Sequence, residues 1–145
     1  MTTFSPLQLK GHAFPIVNIR ANPDGSRDGK LGINQSLSFL PVPETPNQWQ
    51  LELRISFGSA EATKFLYEAE IHVVGVVEIG GEMESERKEQ IAAVNGLSLL
   101  YGAVREMILN ITARSIHGPW CIPSLNFTEV LKLAQQRPLP APANP

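Results

Sequence analysis

Hydrophobic and polar side chains alternate without a break from residue 48 to residue 57. Trp49, Leu51, Leu53, Ile55 and Phe57 hold one parity; Gln48, Gln50, Glu52, Arg54 and Ser56 hold the other. Successive side chains of a strand point to opposite faces, so a period of two predicts a strand with one buried and one wet face. Residues 65–74 repeat the pattern. Phe65, Tyr67, Ala69, Ile71 and Val73 face inward and Glu68, Glu70 and His72 outward, with Leu66 and Val74 as apolar exceptions on the outer face. The intervening Gly58 to Lys64 is short enough for an antiparallel hairpin. Val76, Val77 and Ile79 read as a further strand, with Gly75 marking a bend or bulge.

The N-terminal third is less regular. Leu7 to Ala21 carries the β-favouring Val17 and Ile19 but is interrupted by Pro15. Proline cannot donate to a sheet ladder, so this segment is expected as an edge or bent strand. Asn22-Pro23-Asp24-Gly25 and Asp28-Gly29 are turn signals. Leu31, Ile33, Leu37, Phe39 and Val42 then form a short strand running into Pro41, Pro43 and Pro46, a proline-stiffened crossing segment.

From Glu84 the period changes. Glu84, Glu86 and Glu89 suit the positive end of a helix dipole. Ile91, Val94, Leu97, Leu100, Tyr101, Val104, Met107, Ile108 and Ile111 follow at spacings of three and four. Leu99, Ala103 and Leu109 widen the stripe, and a helix apolar on two sides needs cover on two sides. The chain's own sheet supplies one cover and a partner subunit the other. Gly118-Pro119 is the expected helix stop. A loop with Trp120, Ile122, Pro123 and Leu125 leads to a second helix over residues 128–136, with Asn126 as N-cap and Glu129 in a capping-box position. Strands first and helices afterwards predict an α+β fold: a four-stranded antiparallel sheet with a long helix and a short C-terminal helix on one face. Residues 1–136 form the single expected domain. Residues 137–145, rich in Pro and Ala, are expected as a disordered tail.

Composition changes this picture little. The 145 residues are 43% hydrophobic, enough for one domain with a core. With 18% charged residues and a formal net charge of -2, there is no basic footprint for nucleic acid or an anionic membrane. The lone Cys121 excludes an intramolecular disulfide and fits a reducing compartment. The N-terminus Met-Thr-Thr-Phe-Ser-Pro shows no secretory signal, and no apolar run approaches the roughly 20 residues of a bilayer span. A cytoplasmic protein without membrane insertion is expected.

No catalytic constellation emerges. His72 lies between Ile71 and Val73 on a wet strand face, where the bland reading is a solvated histidine. His117 and Cys121 are four apart, but Gly118 and Pro119 break any helix between them, and no further cysteine exists to complete a zinc site. Gly80-Gly81 lacks a phosphate-loop pattern, and no Gly-x-Ser-x-Gly elbow occurs. Glu68 and Glu70 share a face as a glycosidase pair could, but exposed carboxylates are ordinarily just solvated. The chain is expected to be no enzyme, with no metal and no cofactor. What stands out is apolar material in loop-like places: Phe39, Pro41, Val42, Trp120, Ile122 and Pro123. Such residues either fold over the core or line an exposed interaction groove.

Residues 99–131 carry a resemblance. Val104-Arg105-Glu106 within the long helix, and Pro123-Ser124-Leu125-Asn126-Phe127 opening the last one, resemble the C-terminal half of SecB, an export chaperone family, with one extra residue in the second motif. In that family a long helix carries Ala-Arg-Glu and the short helix begins at Pro-x-Asn-Phe. The order of four strands, loop, long helix, short helix and loose tail agrees over most of residues 7–136. The resemblance implies a cytoplasmic holdase that binds unfolded preproteins without nucleotide, assembled as a dimer of dimers. By position it implies a client groove with Leu37, Phe39 and Val42 on one wall and Trp120, Ile122 and Leu125 on the other. It implies an oligomer interface on the helix at Leu97, Leu100, Tyr101, Val104 and Ile108. It also implies a docking face for the SecA motor at Leu66, Glu68 and Glu70, although the family's acidic first-strand positions fall here near Ile16 and Arg20. A chaperone dedicated to one partner such as an antitoxin is the alternative, and a small ligand-binding protein or enzyme using the same groove is a third reading.

Overall fold

Four strands form one antiparallel sheet in the computed structural model, which describes residues 3–136. They are β1 (Leu7–Ala21), β2 (Leu31–Pro41), β3 (Gln48–Ser59) and β4 (Tyr67–Ile79), in the order β1-β4-β3-β2. Two helices follow, α1 (Ser85–Thr112) and α2 (Phe127–Gln136). The alternating parity decides the faces as expected: Leu51, Leu53, Ile55 and Phe57 of β3 and Tyr67, Ala69, Ile71 and Val73 of β4 are buried on one side. The expected tail lies outside the described residues.

The connections depart from the expectation at residues 41–46. β2 and β3 are neighbours, so this segment crosses nothing. It is a tight hairpin turn in which the Val42 N–H donates to the Gln48 carbonyl at 3.0 Å and the Thr45 N–H to the Val42 carbonyl at 3.3 Å. The crossing is made by residues 22–30, which carry the chain from β1 at one edge to β2 at the other. There the N–H groups of Asn22 and Ser26 donate to the carbonyls of Leu66 and Lys64, both at 2.9 Å. The end of the β3–β4 connection is thereby tied to the crossing segment.

β1 is the expected bent edge strand. Its register against β4 shifts twice, between Leu9 and Gly11 and between Ala13 and Ile16, and the second shift contains Pro15. β4 runs unbroken through Gly75, so the expected bend there, and with it a separate strand beyond, is corrected. A methyl at residue 75 would lie 2.7 Å from Leu100 Cδ2. Glycine is present because the helix approaches the strand closely, not because the strand turns.

α1 packs on β4, β1 and β3, burying Ala92, Ala93, Gly96, Leu97, Leu100, Tyr101, Val104, Ile108 and Thr112. By length and composition alone it could cross a membrane, but here it lies against the sheet. It ends at Thr112, before the expected stop at Gly118-Pro119. The Thr112 hydroxyl donates back to the Ile108 carbonyl at 2.7 Å and accepts the Trp120 N–H at 2.9 Å. One buried side chain thus closes the helix and turns the chain back over the sheet. α2 starts as expected, with Asn126 Oδ1 accepting the Thr128 N–H at 3.1 Å.

Candidate functional site

The inner face of the sheet is wider than the helix lying on it. α1 covers the β1, β4 and β3 part of that face, and β2 lies at the edge beyond it. The apolar inward side chains of β2, Leu31, Ile33, Leu37 and Phe39, are therefore only half-buried while packing against the core, and the exposed Gln35 stands between them on the same face. Phe39 stacks on Trp49 with ring centroids 6.3 Å apart and planes within 7°. Val42, also half-buried, lies in a shallow depression of about 400 Å³ lined by Pro41, Pro46 and Trp49 together with the polar Glu44, Thr45, Asn47 and Gln48. The result is an apolar strip along one sheet edge, continued at the turn. Leu31, Ile33 and Trp49 were not among the sequence-predicted wall residues. Their parity marks them as inward, but periodicity carries no record of how far the helix extends across the sheet.

The second predicted wall is corrected in part. Trp120 and Ile122 are 8% and 1% exposed and belong to the core. Trp120 stacks on Tyr67 at 5.6 Å and meets Phe57 edge-on at 5.5 Å. These loop residues are core because the loop is tied down along its length. The Tyr67 hydroxyl donates to the Gly118 carbonyl at 2.5 Å, His117 Nε2 lies 2.6 Å from the Asn22 carbonyl, and the Tyr101 hydroxyl donates to the Pro123 carbonyl. Leu125 and Val130 are half-buried against the same core. They are what remains of an apolar wall on the helical side.

The five helix positions predicted for an oligomer interface also turn inward. Leu97, Leu100, Tyr101, Val104 and Ile108 are buried against the chain's own sheet and loop, because they form the stripe that the sheet itself covers. The apolar residues left open are Leu99, Leu109 and Ile111, with Ala103 and Met107 half-buried. The two-sided character of the helix stands; the side available to a partner is the other one.

On the outer sheet face the predicted docking residues separate. Leu66 is 7% exposed, lies outside β4, and offers no docking contact. Glu68 is half-buried and pairs across the ladder with Arg20, and the exposed Glu70 pairs with Asn18 and Ser56. His72 is 8% exposed rather than solvated, since Ile16 of β1 and Arg54 of β3 flank it. Its Nε2 has no hydrogen-bond partner and lies 3.7 Å from a Glu52 carboxylate oxygen. An outer face with Arg20 and Arg54 set among Glu52, Glu68 and Glu70 is electrostatically mixed, not acidic.

Chemistry beyond burial is sparse. Among the described residues no three His, Cys, Asp or Glu side chains are placed to share a metal ion. Cys121 is exposed, with its sulfur 3.5 Å from Arg105 Nη2, and His117 is engaged with the Asn22 carbonyl. Burial pushes the Tyr101 hydroxyl up to about 12 from its ordinary 10.0, against the lowering effect of Arg105 and with a smaller raising one from Cys121.

Comparison with known proteins accords with this arrangement. Among solved structures, the Rv1957 SecB-like chaperone of Mycobacterium tuberculosis, in complex with a ChAD peptide from the HigA1 antitoxin, superposes with a TM-score of 0.61 at 15% identity, over 82% of this chain and 89% of that one. A protein of unknown function from Streptococcus agalactiae gives a TM-score of 0.51 at 11% identity, over 82% and 97%. At these identities the likeness is one of fold. No curated protein matches the sequence. The model of the family described as preprotein translocase subunit SecB matches residues 28–138, well over half of the 145 residues, from the crossing segment through both helices. The edge strip on β2, the covered helix and the tied interhelical loop all fall within that span, and the chain belongs to the SecB family.

Proposed function

We propose that this chain is a chaperone that holds unfolded polypeptide, without nucleotide or cofactor, on the apolar strip along β2. The observation that carries this reading is the half-buried set Leu31, Ile33, Leu37 and Phe39, interrupted by the exposed Gln35 and with Trp49 stacked on Phe39, on a face the helix does not reach. A soluble client would bury apolar side chains there at about 25 cal/mol per Å², and because that force is non-directional, many sequences would be accepted. Val42 and Leu125 extend the surface, while Trp120 and Ile122 support it from beneath. Assembly into a dimer of dimers would cover the open side of α1 at Leu99, Ala103 and Leu109.

The client's destination has two readings. Export through SecA is the reading supported by family membership, with Glu68 and Glu70 as the residual docking positions. Service to a single partner is favoured by two observations: the mycobacterial relative is bound to an antitoxin peptide, and Arg20 and Ile16 replace the acidic character expected of the first strand. The test is suppression of aggregation of a reduced, unfolded client by stoichiometric protein. Replacing Leu37 and Phe39 together by Ala should abolish most suppression while leaving the far-UV circular dichroism spectrum unchanged. Equal suppression by the double variant would remove the β2 strip from the mechanism.

A further inference from the structure

The turn between β2 and β3 holds a residue that the fold alone does not call for. The Thr45 N–H donates to the Val42 carbonyl at 3.3 Å, so residues 42–45 close a turn with Pro43 and Glu44 in its two central places. Glu44 has φ 60, the left-handed value that a type II turn requires at its third residue and that glycine meets without strain. A carboxylate stands there instead. It is the only charged side chain lining the depression of about 400 Å³ beside Pro41, Pro46 and Trp49. The depression is held in shape from behind. Asn47, at φ 66, accepts the Lys88 ammonium on Oδ1 at 3.0 Å and the Ile79 N–H on its carbonyl at 2.9 Å, which ties the turn to α1 and to β4. Its apolar surfaces are flat: the Trp49 ring, stacked on Phe39, and the exposed Pro41 and Pro46.

Preformed aromatic and proline surfaces suit a polyproline II segment, which is already extended and loses little entropy on docking. The chain carries such a segment. Residues 137–145 read Arg-Pro-Leu-Pro-Ala-Pro-Ala-Asn-Pro, and each residue before a proline is driven toward extended backbone. Arg137 is the only charged residue in it, as Glu44 is in the depression. We infer that residues 137–145 dock on the β2–β3 turn of their own chain, with Arg137 beside Glu44 and the prolines against Trp49, Pro41 and Pro46. The exposed ion pair sets the register more than the affinity. Reach allows this. After α1 the chain runs back along that helix, since the Trp120 N–H meets Thr112, Cys121 lies against Arg105 and Phe127 meets Tyr101. Lys88, which holds the turn, lies about 20 Å beyond Tyr101 in that direction at 1.5 Å per residue. The ten residues of α2 and the extended segment after it together span about 40 Å. Tethering holds the segment at an effective concentration of about a millimolar, so a modest contact suffices. Once docked, it covers the Val42 and Trp49 end of the apolar strip, and a client must displace it; that consequence rests on the chaperone reading above.

Paramagnetic relaxation on the full chain tests this, with a nitroxide at Ala143→Cys, Cys121→Ser removing the native thiol, and the isotope-labelled chain diluted into an excess of plain chain. The amides of Val42 and Thr45 and the Trp49 indole N–H should lose about half their intensity or more with the label oxidised rather than reduced. Glu44→Gly relieves the left-handed backbone, so the turn stays folded, and the docked population should nevertheless fall about twofold to fivefold. Saturating reduced, carboxymethylated α-lactalbumin should restore the signals, its binding being followed separately by fluorescence anisotropy. Equal intensities at the turn with oxidised and reduced label overturn the inference and leave the chaperone reading standing. Broadening that arises only when spin label and isotope are on different chains assigns the segment to a neighbouring copy, which also overturns it. Broadening that survives bound client overturns the displacement. A client that does not bind at all overturns the chaperone reading, while the docking is still decided by the turn signals.

Discussion

Tyr101 joins three parts of the molecule through one side chain. It is buried in α1, its hydroxyl donates to the Pro123 carbonyl of the loop, and its ring meets Phe127 of α2 at 5.6 Å. Burial disfavours the phenolate, so the folded-state pKa of about 12 stands above the unfolded 10.0. The stability this contributes is complete below about pH 10 and is lost as pH rises through 12. Urea midpoints between pH 8 and pH 12, at intervals of about half a unit, should fall along that limb, and Tyr101→Phe should flatten the fall while lowering stability at pH 8 by about 1 kcal/mol. Trp120 and Ile122 lie in a loop-like stretch between helices, where apolar residues either cover the core or line a groove; Thr112, Tyr67 and Tyr101 tie that segment down and decide for the core. Hydrogen bonds between residues 8 to 51 positions apart leave no periodic trace.

At the scale of elements, the helix and the sheet meet through missing side chains. A methyl on Gly96 would collide with Leu51 Cδ1 and lie 3.3 Å from Val77 Cγ1, in a part of the core with no exposure. Alanine improves helix propensity by about 1 kcal/mol, but overpacking a filled core costs about 1–3 kcal/mol. Gly96→Ala should therefore destabilise by about 1–2 kcal/mol in chemical unfolding. Gly102→Ala, where a methyl meets nothing within 4 Å, should stabilise slightly. Equal effects at the two sites would contradict the close approach of α1 to β3 and β4. The strands and helix here were legible in advance, since β3 and β4 alternate cleanly and α1 repeats every three to four residues. Their mutual footprint was not, because it depends on which strands end up beside the helix.

At the scale of the whole molecule, the open apolar face of α1 asks for a partner. Leu99 is 44% exposed, and Ala103 and Met107 follow it at four-residue steps on the same side. Sedimentation analysis should find an oligomer, and Leu99→Glu should convert it to smaller species. The melting temperature of the isolated chain should shift little, as for other exposed substitutions of about 0.5 kcal/mol or less. A variant that remains fully oligomeric would direct attention away from this face.

The strand faces, the long helix with two apolar sides, the α2 cap at Asn126 and, through residues 99–131, the resemblance to SecB are all written in the order of residues along the chain. These are local patterns, each written within a few residues of itself. That β2 stands at an edge beyond the helix, that 22–30 and not 41–46 crosses the sheet, and that Trp120 and Ile122 of the interhelical loop are core emerge from the folded arrangement alone. Each of these depends on which distant segments pair, and the β1-β4-β3-β2 order that decides it is fixed by long-range contacts. The candidate site moved accordingly, from two facing walls, of which Trp120 and Ile122 are core, to the uncovered inner side chains of β2.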